Sequence, residues 1–205
     1  MKAIPTQARA IQKRAALITA ATLCFADHGY NDTTAKMVAS QAGVATGTFY
    51  QYFDNKEDML RVIAKQRMED LYKQIPSVKA LLVLNEKAQK DSGKLGTTQQ
   101  IFHTVLKLIY AFHEQSPQLH QVLEQRKALD PKLAEILGQG ENLLHERVLM
   151  FVQSFNINNA DAVAFNLFAM AEGLVHRHVF ACSTQSKDVT LQLGAVMLAS
   201  YFDNL

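Results

Sequence analysis

Apolar residues recurring every three or four positions constrain this chain more than anything else in it. From about Thr6 to His28 they stand at Ile11, Ala15, Ile18, Thr22 and Phe25, with Leu17 and Ala21 beside them. That spacing lines one face of a helix, and Gly29 follows as a stop. Thr34 is placed to cap a short second helix with Val38, Ala39 and Ala42 on its apolar face, ending before Gly43. A third short helix is expected over about Ala45 to Tyr52. Asn55 then reads as an N-cap, with Glu57 and Asp58 in the first turn, where acids complement the helix dipole. This fourth helix runs through Met59, Leu60, Ile63 and Ala64 to about Ile75, where Pro76 ends it. The segment 77–96 is open between helix and loop. Five helical patterns follow: about Thr98 to Gln115, one opened by Ser116-Pro117, one opened by Asp130-Pro131 and reaching Gln153, then about Asn158 to Ala181 and Lys187 to Phe202. Nine Gly and four Pro are few for a fold built on tight turns. The expected class is all-α.

Composition narrows the choices further. A chain of 205 residues that is 48% hydrophobic can bury a real core. Formal net charge is only +2, but residues 1–56 hold six Lys/Arg against three Asp, while the remainder is slightly acidic. That mild asymmetry points to the N-terminal end as the side that meets an anionic partner. Cys24 and Cys182 are far apart and form no CxxC pair, so they read as small buried hydrophobes. The first residues lack an apolar signal core, and no apolar run reaches the roughly 18 residues of a membrane span. The expectation is a cytoplasmic protein.

The informative unit is Thr33 to Phe53. It reads helix, a short turn beginning at Gly43, helix, which is the helix-turn-helix layout. On a wheel of about 100° per residue, Thr46, Gly47, Tyr50 and Gln51 share one arc of the third helix. Ala45, Thr48, Phe49 and Tyr52 share the other. The aromatic arc suits burial on the first two helices, which leaves the small polar arc free for a DNA major groove. Gly47 on that free arc lets the helix backbone approach DNA closely.

The stretch "TTAKMVASQAGVATGTFYQYFDNKEDML" closely resembles the DNA-binding segment of the TetR (tetracycline repressor) family, over about Gln12 to Ile63. The matching positions are the Thr-Thr pair, Val38-Ala39, Ala42-Gly43-Val44, Gly47-Thr48, Phe49-Tyr50, Tyr52-Phe53 and Asn55-Lys56-Glu57. Many members carry Ser at position 45, where this chain has Ala45, a cap poorer by about 1 kcal/mol. The resemblance implies that Thr34 and Lys56 contact phosphates from two helix N-termini. It implies that Tyr50 and Tyr52 offer hydroxyls to the DNA backbone or groove wall, and that Thr46, Gly47, Thr48 and Gln51 face bases. Lys36 would reach a guanine edge or a phosphate. Lys13 and Arg14 would add general attraction.

The resemblance further implies an N-terminal three-helix helix-turn-helix DNA-binding domain over residues 1–56. Residues 57–205 would form a larger helical effector-binding and dimerisation domain. "ADAVAFNLFAMAEGLV" and "LQLGAVMLASYF" are apolar around much of their circumference, so they must be covered on more than one side. A homodimer through the last two helices would do this. Candidate pocket residues are Phe102, Leu106, Tyr110, Met150, Phe168 and Phe180, a pattern that also fills cores. Arg126 and Arg177 are candidates to hold an anionic effector such as an acyl-coenzyme A or a carboxylate. Among the seven histidines only His176 and His178 are close in sequence, and an i,i+2 pair does not share a helix face. No metal and no cofactor are expected. With no nucleophile–base arrangement or phosphate loop, an enzyme is not expected either.

The expected function is a sequence-specific transcriptional regulator, a repressor released from a palindromic operator by a small-molecule effector. The alternative is an effector-independent architectural or accessory DNA-binding protein of the same fold. An enclosed cavity of about 300 Å³ or more in the second domain would favour the effector reading.

Overall fold

The computed structural model describes residues 2, 5–81, 83, 94–181 and 183–205. Among them are nine α-helices and no strand. They are α1 (Ala8–Asp32), α2 (Ala35–Gln41), α3 (Thr46–Tyr52), α4 (Lys56–Gln74), α5 (Lys94–Glu114), α6 (Pro117–Lys127), α7 (Pro131–Gln153), α8 (Ala160–Phe180) and α9 (Lys187–Asp203). The all-α expectation holds, and most ends fall where the sequence puts its caps. Gly29, at φ 72° and ψ −179°, breaks the helical path of α1 near its end. Thr34 accepts from the Met37 amide at the start of α2. Asn55 Oδ1 accepts from the Asp58 amide at 2.8 Å. In the segment 77–96, residues 78–81 are helical behind Ser77, which accepts from the Ala80 amide, and α5 begins at Lys94. Most of the rest of that segment, like Cys182, lies outside the described residues.

The chain divides into two compact units. The first takes residues 1–69 together with 116–140. Its core joins Leu17, Ala21, Phe25, Phe49 and Phe53 to Met59, Leu60 and Ile63 of α4 and to Leu119, Val122, Leu123, Leu133 and Leu137. The sequence reading put one boundary at 56/57. The division is discontinuous instead, because the first turns of α4 and the 116–140 segment fill the same core as the N-terminal helices. Ile11, expected on the buried stripe of α1, is exposed: the buried residues of this helix begin only at Leu17. Cys24 is buried, and burial, then the charge of Asp27, push its thiol above the ordinary range. It acts as a core residue.

A polar pair ties α4 to α7 within this unit. Arg61 Nε and Nη2 donate to the two oxygens of Asp130 at 2.8 and 2.9 Å. Asp130 also accepts from the amides of Lys132 and Leu133, capping α7. Burial works to raise the Asp130 carboxyl, but the Arg61 bond and the two amides outweigh it and hold it below the ordinary carboxylate range. Nearby, the Tyr30 hydroxyl donates to Glu57. That bond is the largest influence on Glu57 and holds it low despite burial.

The second unit comprises residues 70–115 and 141–205. Here α5 packs against α8 and α9. An aromatic cluster holds the centre: Phe102 lies 5.9 Å from Phe202 and 6.3 Å from Phe151, and Phe155 packs on both Phe151 and Phe202. The apolar character of the last two helices is only half used within the unit. Val189, Leu193, Val196 and Met197 of α9, and Phe165 of α8, are exposed, Phe165 to 63%. No helix among the described residues is long and apolar enough to cross a membrane.

Asp130→Ala leaves Arg61 without its carboxylate and α7 without its cap, and is expected to cost about 3 kcal/mol of stability in urea unfolding. The carboxyls of Asp130 and Glu57 are held low in the folded chain. Their contribution is therefore complete above the unfolded-state values near about 4 and drains as pH falls through the folded values. A Tm measured from pH 6 downward should fall more shallowly in Asp130→Ala than in the parent. Equal slopes would show that this carboxylate carries no linkage.

Candidate nucleic-acid interface

Two threonines set the geometry of the interface. Thr33 is buried, and its hydroxyl lies 2.6 Å from the Gly29 carbonyl and 3.0 Å from that of Cys24, closing the end of α1. Thr34 faces solvent and caps α2. At the other end of α2 the chain turns through Gly43, whose φ of 67° is the left-handed conformation glycine adopts at least cost. The Gly43 and Val44 amides bond back to Ser40 and Ala39, satisfying carbonyls the helix leaves free.

Out of this turn comes α3. Phe49 is fully buried and contacts Phe53 at 5.6 Å and the Tyr50 ring at 5.2 Å. With Phe49 inward, Thr46, Gly47, Tyr50 and Gln51 are exposed, Tyr50 to 52%. Thr48 and Tyr52 are half-buried at the edge of this face. Lys36 and Thr34 are exposed on and before α2. A Cβ built on Gly47 meets nothing within 4 Å, so no contact among the described residues calls for glycine there. Arg14 stands over the Phe53 ring at 5.4 Å. Lys2, a residue sequence reasoning did not single out, donates to the Tyr50 carbonyl and lies 3.6 Å from Asp54. Lone terminal lysines carry no sequence signal for such a contact.

Lys56 is placed otherwise than expected. Its ammonium donates to the carbonyls of Tyr30, Asn31 and Thr33 at 2.8, 3.1 and 3.3 Å, and sits 4.3 Å from the Tyr30 ring centre. Its three N–H groups are thus matched by three carbonyls at the end of α1, where a positive charge also offsets the helix dipole. Lys56 braces the frame that carries α2 and α3. The phosphate contact expected of its side chain has no donor left in this arrangement.

The second unit contains a cavity of about 80 Å³. Of the residues expected to form an effector pocket, Phe102, Leu106 and Phe168 line it. The others do not. Tyr110 bonds His178 at 2.8 Å, Met150 is 50% exposed and Arg177 is exposed. Arg126 belongs to the first unit, where its guanidinium stacks 4.1 Å from the Tyr30 ring. Among the described residues, the charged groups in the lining are Arg147 and Glu172. Arg147 donates to the carbonyls of Tyr72 and Ile75 at 2.8 and 2.6 Å. The sequence held a signal for it: Arg147 falls in the helical stripe Leu144, Val148, Phe151, an arginine on an apolar face. Beside the lining residue Phe168, at a ring distance of 5.9 Å, stands His145, whose Nε2 is buried with no hydrogen-bond partner among the described residues.

An exposed helix face held by a glycine turn and a buried aromatic anchor defines a helix-turn-helix protein. Residues 17–63 match the family model described as "Bacterial regulatory proteins, tetR family", and that segment is similar to the DNA-binding domain of this family. The HTH-type transcriptional regulator HbdR of Aromatoleum sp. (strain CIB) is 35% identical over 77 residues, which are 37% of this chain and 34% of that protein. The fatty acid metabolism regulator protein of Bacillus subtilis (strain 168) is 46% identical over 52 residues, 25% of this chain and 27% of that one. The chain thus matches about a third or less of the length of these curated relatives. Among solved structures, a TetR-family protein from Mesorhizobium loti MAFF303099 superposes with a TM-score of 0.78 at 18% identity, covering 96% of this chain and 97% of that one. The fatty acid degradation regulator FadR from Bacillus halodurans gives 0.62 at 20% identity, covering 93% and 94%. At such identities these likenesses establish the fold.

Two variants test the frame. Ala45 gives α3 no side-chain cap, so Ala45→Ser, able to accept from the Gly47 or Thr48 amide, is expected to raise stability by about 1 kcal/mol in urea unfolding. Lys56→Met keeps the stem and removes the charge, and is expected to cost about 1–2 kcal/mol. No loss of stability in Lys56→Met would contradict the bracing role.

Proposed function

We propose that this protein is a sequence-specific DNA-binding transcriptional regulator, a repressor that works in the cytoplasm as a homodimer and leaves its operator when a small molecule binds. The observation that carries the DNA half is the exposed arc of α3: Thr46, Gly47, Tyr50 and Gln51 face solvent while Phe49 anchors the opposite side. An α-helix presenting that arc fits a major groove. Gln51 can read an adenine with two hydrogen bonds. On this reading Lys36 and the Thr34 hydroxyl, both exposed, meet the phosphates that flank the groove, and Thr48 and Tyr52 border it. Regulator and repressor are the words attached to the relatives that share this segment.

The dimer reading rests on the apolar stripe left open on α9, Val189, Leu193, Val196 and Met197, together with Phe165 of α8. Covering it with the same surface of a second subunit buries apolar area on both, the isologous arrangement of a two-fold dimer. Two reading heads so related call for a palindromic operator, with half-sites about 34–36 Å apart or a multiple of this.

The effector reading rests on the cavity. Its wall is hydrocarbon and aromatic, with Arg147 as the one basic group among the described lining residues. This suits a hydrocarbon chain with an anionic head, the class to which fatty acids and acyl-coenzyme A thioesters belong. Two proteins similar to this one are named for fatty acid metabolism and degradation. A volume of about 80 Å³ is well short of the roughly 300 Å³ of a pocket for a drug-sized ligand. The bound form therefore needs side chains to move apart. The same small volume favours the second reading, an effector-independent DNA-binding protein of the same fold.

Selection from random duplexes followed by anisotropy titration tests the proposal. An inverted repeat should be enriched and bound at least about 1,000-fold more tightly than random DNA. Lys36→Ala should flatten the dependence of log affinity on log salt by about 1, while Tyr50→Ala weakens binding. Long-chain acyl-coenzyme A should lower operator affinity, and Arg147→Met should blunt that response. Enrichment of no sequence would overturn the regulator reading. Specific binding with no response to any acyl ligand would leave the effector-independent reading in its place.

A further inference from the structure

We propose that the second unit holds a binding site for one transition-metal dication, formed by His113 of α5 with His176 and Glu172 of α8. The two histidines meet through their Nε2 atoms, 2.8 Å apart, with ring centres at 4.6 Å. Glu172 Oε2 lies 3.4 Å from the same His176 nitrogen. Donor atoms of the kinds that bind zinc thus meet His176 Nε2 from two helices, and Glu172 and His176, four apart on α8, share a helix face.

The tautomer is arranged for ligation. His113 is buried, and its Nδ1 lies 2.8 Å from the Ile109 carbonyl, one turn back on the same helix. A carbonyl can only accept, so Nδ1 carries the proton and Nε2 presents its lone pair to His176. A backbone carbonyl on the far nitrogen is the usual means by which a metal-bound imidazole is oriented. In a four-coordinate site with metal–nitrogen bonds of about 2.0–2.1 Å, neighbouring donors lie about 3.3 Å apart. Parting the two rings by about half an ångström therefore admits an ion between them.

The surroundings fit the same use. His176 and Glu172 are each about a third exposed, giving an ion a path from solvent, while Phe180 packs on both histidine rings. Glu172 and Ile109 also line the apolar cavity, so the ion sits at the cavity wall. Two imidazoles and a carboxylate favour Zn²⁺, Co²⁺ or Ni²⁺ over Mg²⁺ and Ca²⁺. His178 has no part in this site. Its Nε2 meets the Gln185 carbonyl, and its Nδ1 meets the Tyr110 hydroxyl.

The site stands apart from the DNA-binding reading and is tested without DNA. Full-length, tag-free protein is dialysed against Zn²⁺ or Co²⁺ and its metal content measured by mass spectrometry. About one equivalent per chain is expected, with the visible absorption of tetrahedral Co²⁺ and no retention of Mg²⁺. His176→Gln alters a partly exposed side chain. It should keep the fold, judged by circular dichroism, and lower Zn²⁺ affinity about tenfold or more. Glu172→Gln should weaken binding without changing the metal-free spectrum. Substoichiometric metal in the parent, or an unchanged affinity in His176→Gln, would overturn the proposal and leave a hydrogen-bonded histidine pair.

Discussion

The burial of Phe49 decides what the N-terminal unit can do. A seven-residue helix with no side-chain cap is not stable by itself, so α3 exists because tertiary packing holds it. The fully buried ring of Phe49, in contact with Phe53, fixes both the position of the helix and its rotation. Once that rotation is fixed, Thr46, Gly47, Tyr50 and Gln51 have only solvent to face. The remaining parts serve this arrangement. The Gly43 turn sets where α3 leaves α2, and Thr33 and Lys56 close the end of α1 that carries both helices. Polar groups here work mainly as frame, and the groups left for a partner are few and small.

The second unit follows a different logic. Its aromatic centre is dense, its cavity is small, and its last helix keeps an apolar stripe outside. A small molecule can shift the balance between two forms of a protein only by its difference in affinity for them. A ligand that must enlarge a cavity of about 80 Å³ also spends part of its binding energy on the opening. The affinity measured from outside is then weaker than the contacts in the opened form would give. Within the lining, Arg147 is already committed to the carbonyls of Tyr72 and Ile75, so an anionic head group would share a guanidinium that also secures the end of α4.

What was legible in the sequence was local. Helix ends announced themselves because their caps lie within a few residues of what they satisfy: Thr34 with Met37, Asn55 with Asp58, Asp130 with Leu133. The two faces of α3 followed from one turn of the wheel. The contacts that escaped join residues distant in the chain. Lys56 and the carbonyl of Tyr30 are 26 residues apart, Arg61 and Asp130 69, and His113 and His176 63. Nothing in the spacing of single charges tells which carbonyl or carboxylate they will meet. For that reason Lys56 read as a phosphate ligand, Arg126 as a pocket residue, and the histidines as a sequence-neighbour question about His176 and His178. Arg147 was the exception, visible in principle as a charge on an apolar stripe.

The central claim is that the outward arc of α3 is kept for close contact with DNA, at some expense to the helix itself. Gly47 concentrates that claim, since a methyl group there meets nothing among the described residues. Gly47→Ala, measured for urea stability and for operator affinity in the same buffer, tests it most directly. The account predicts a protein more stable by about 0.5–1 kcal/mol that binds its operator at least about tenfold more weakly. A variant that is more stable and binds as tightly as the parent would contradict it.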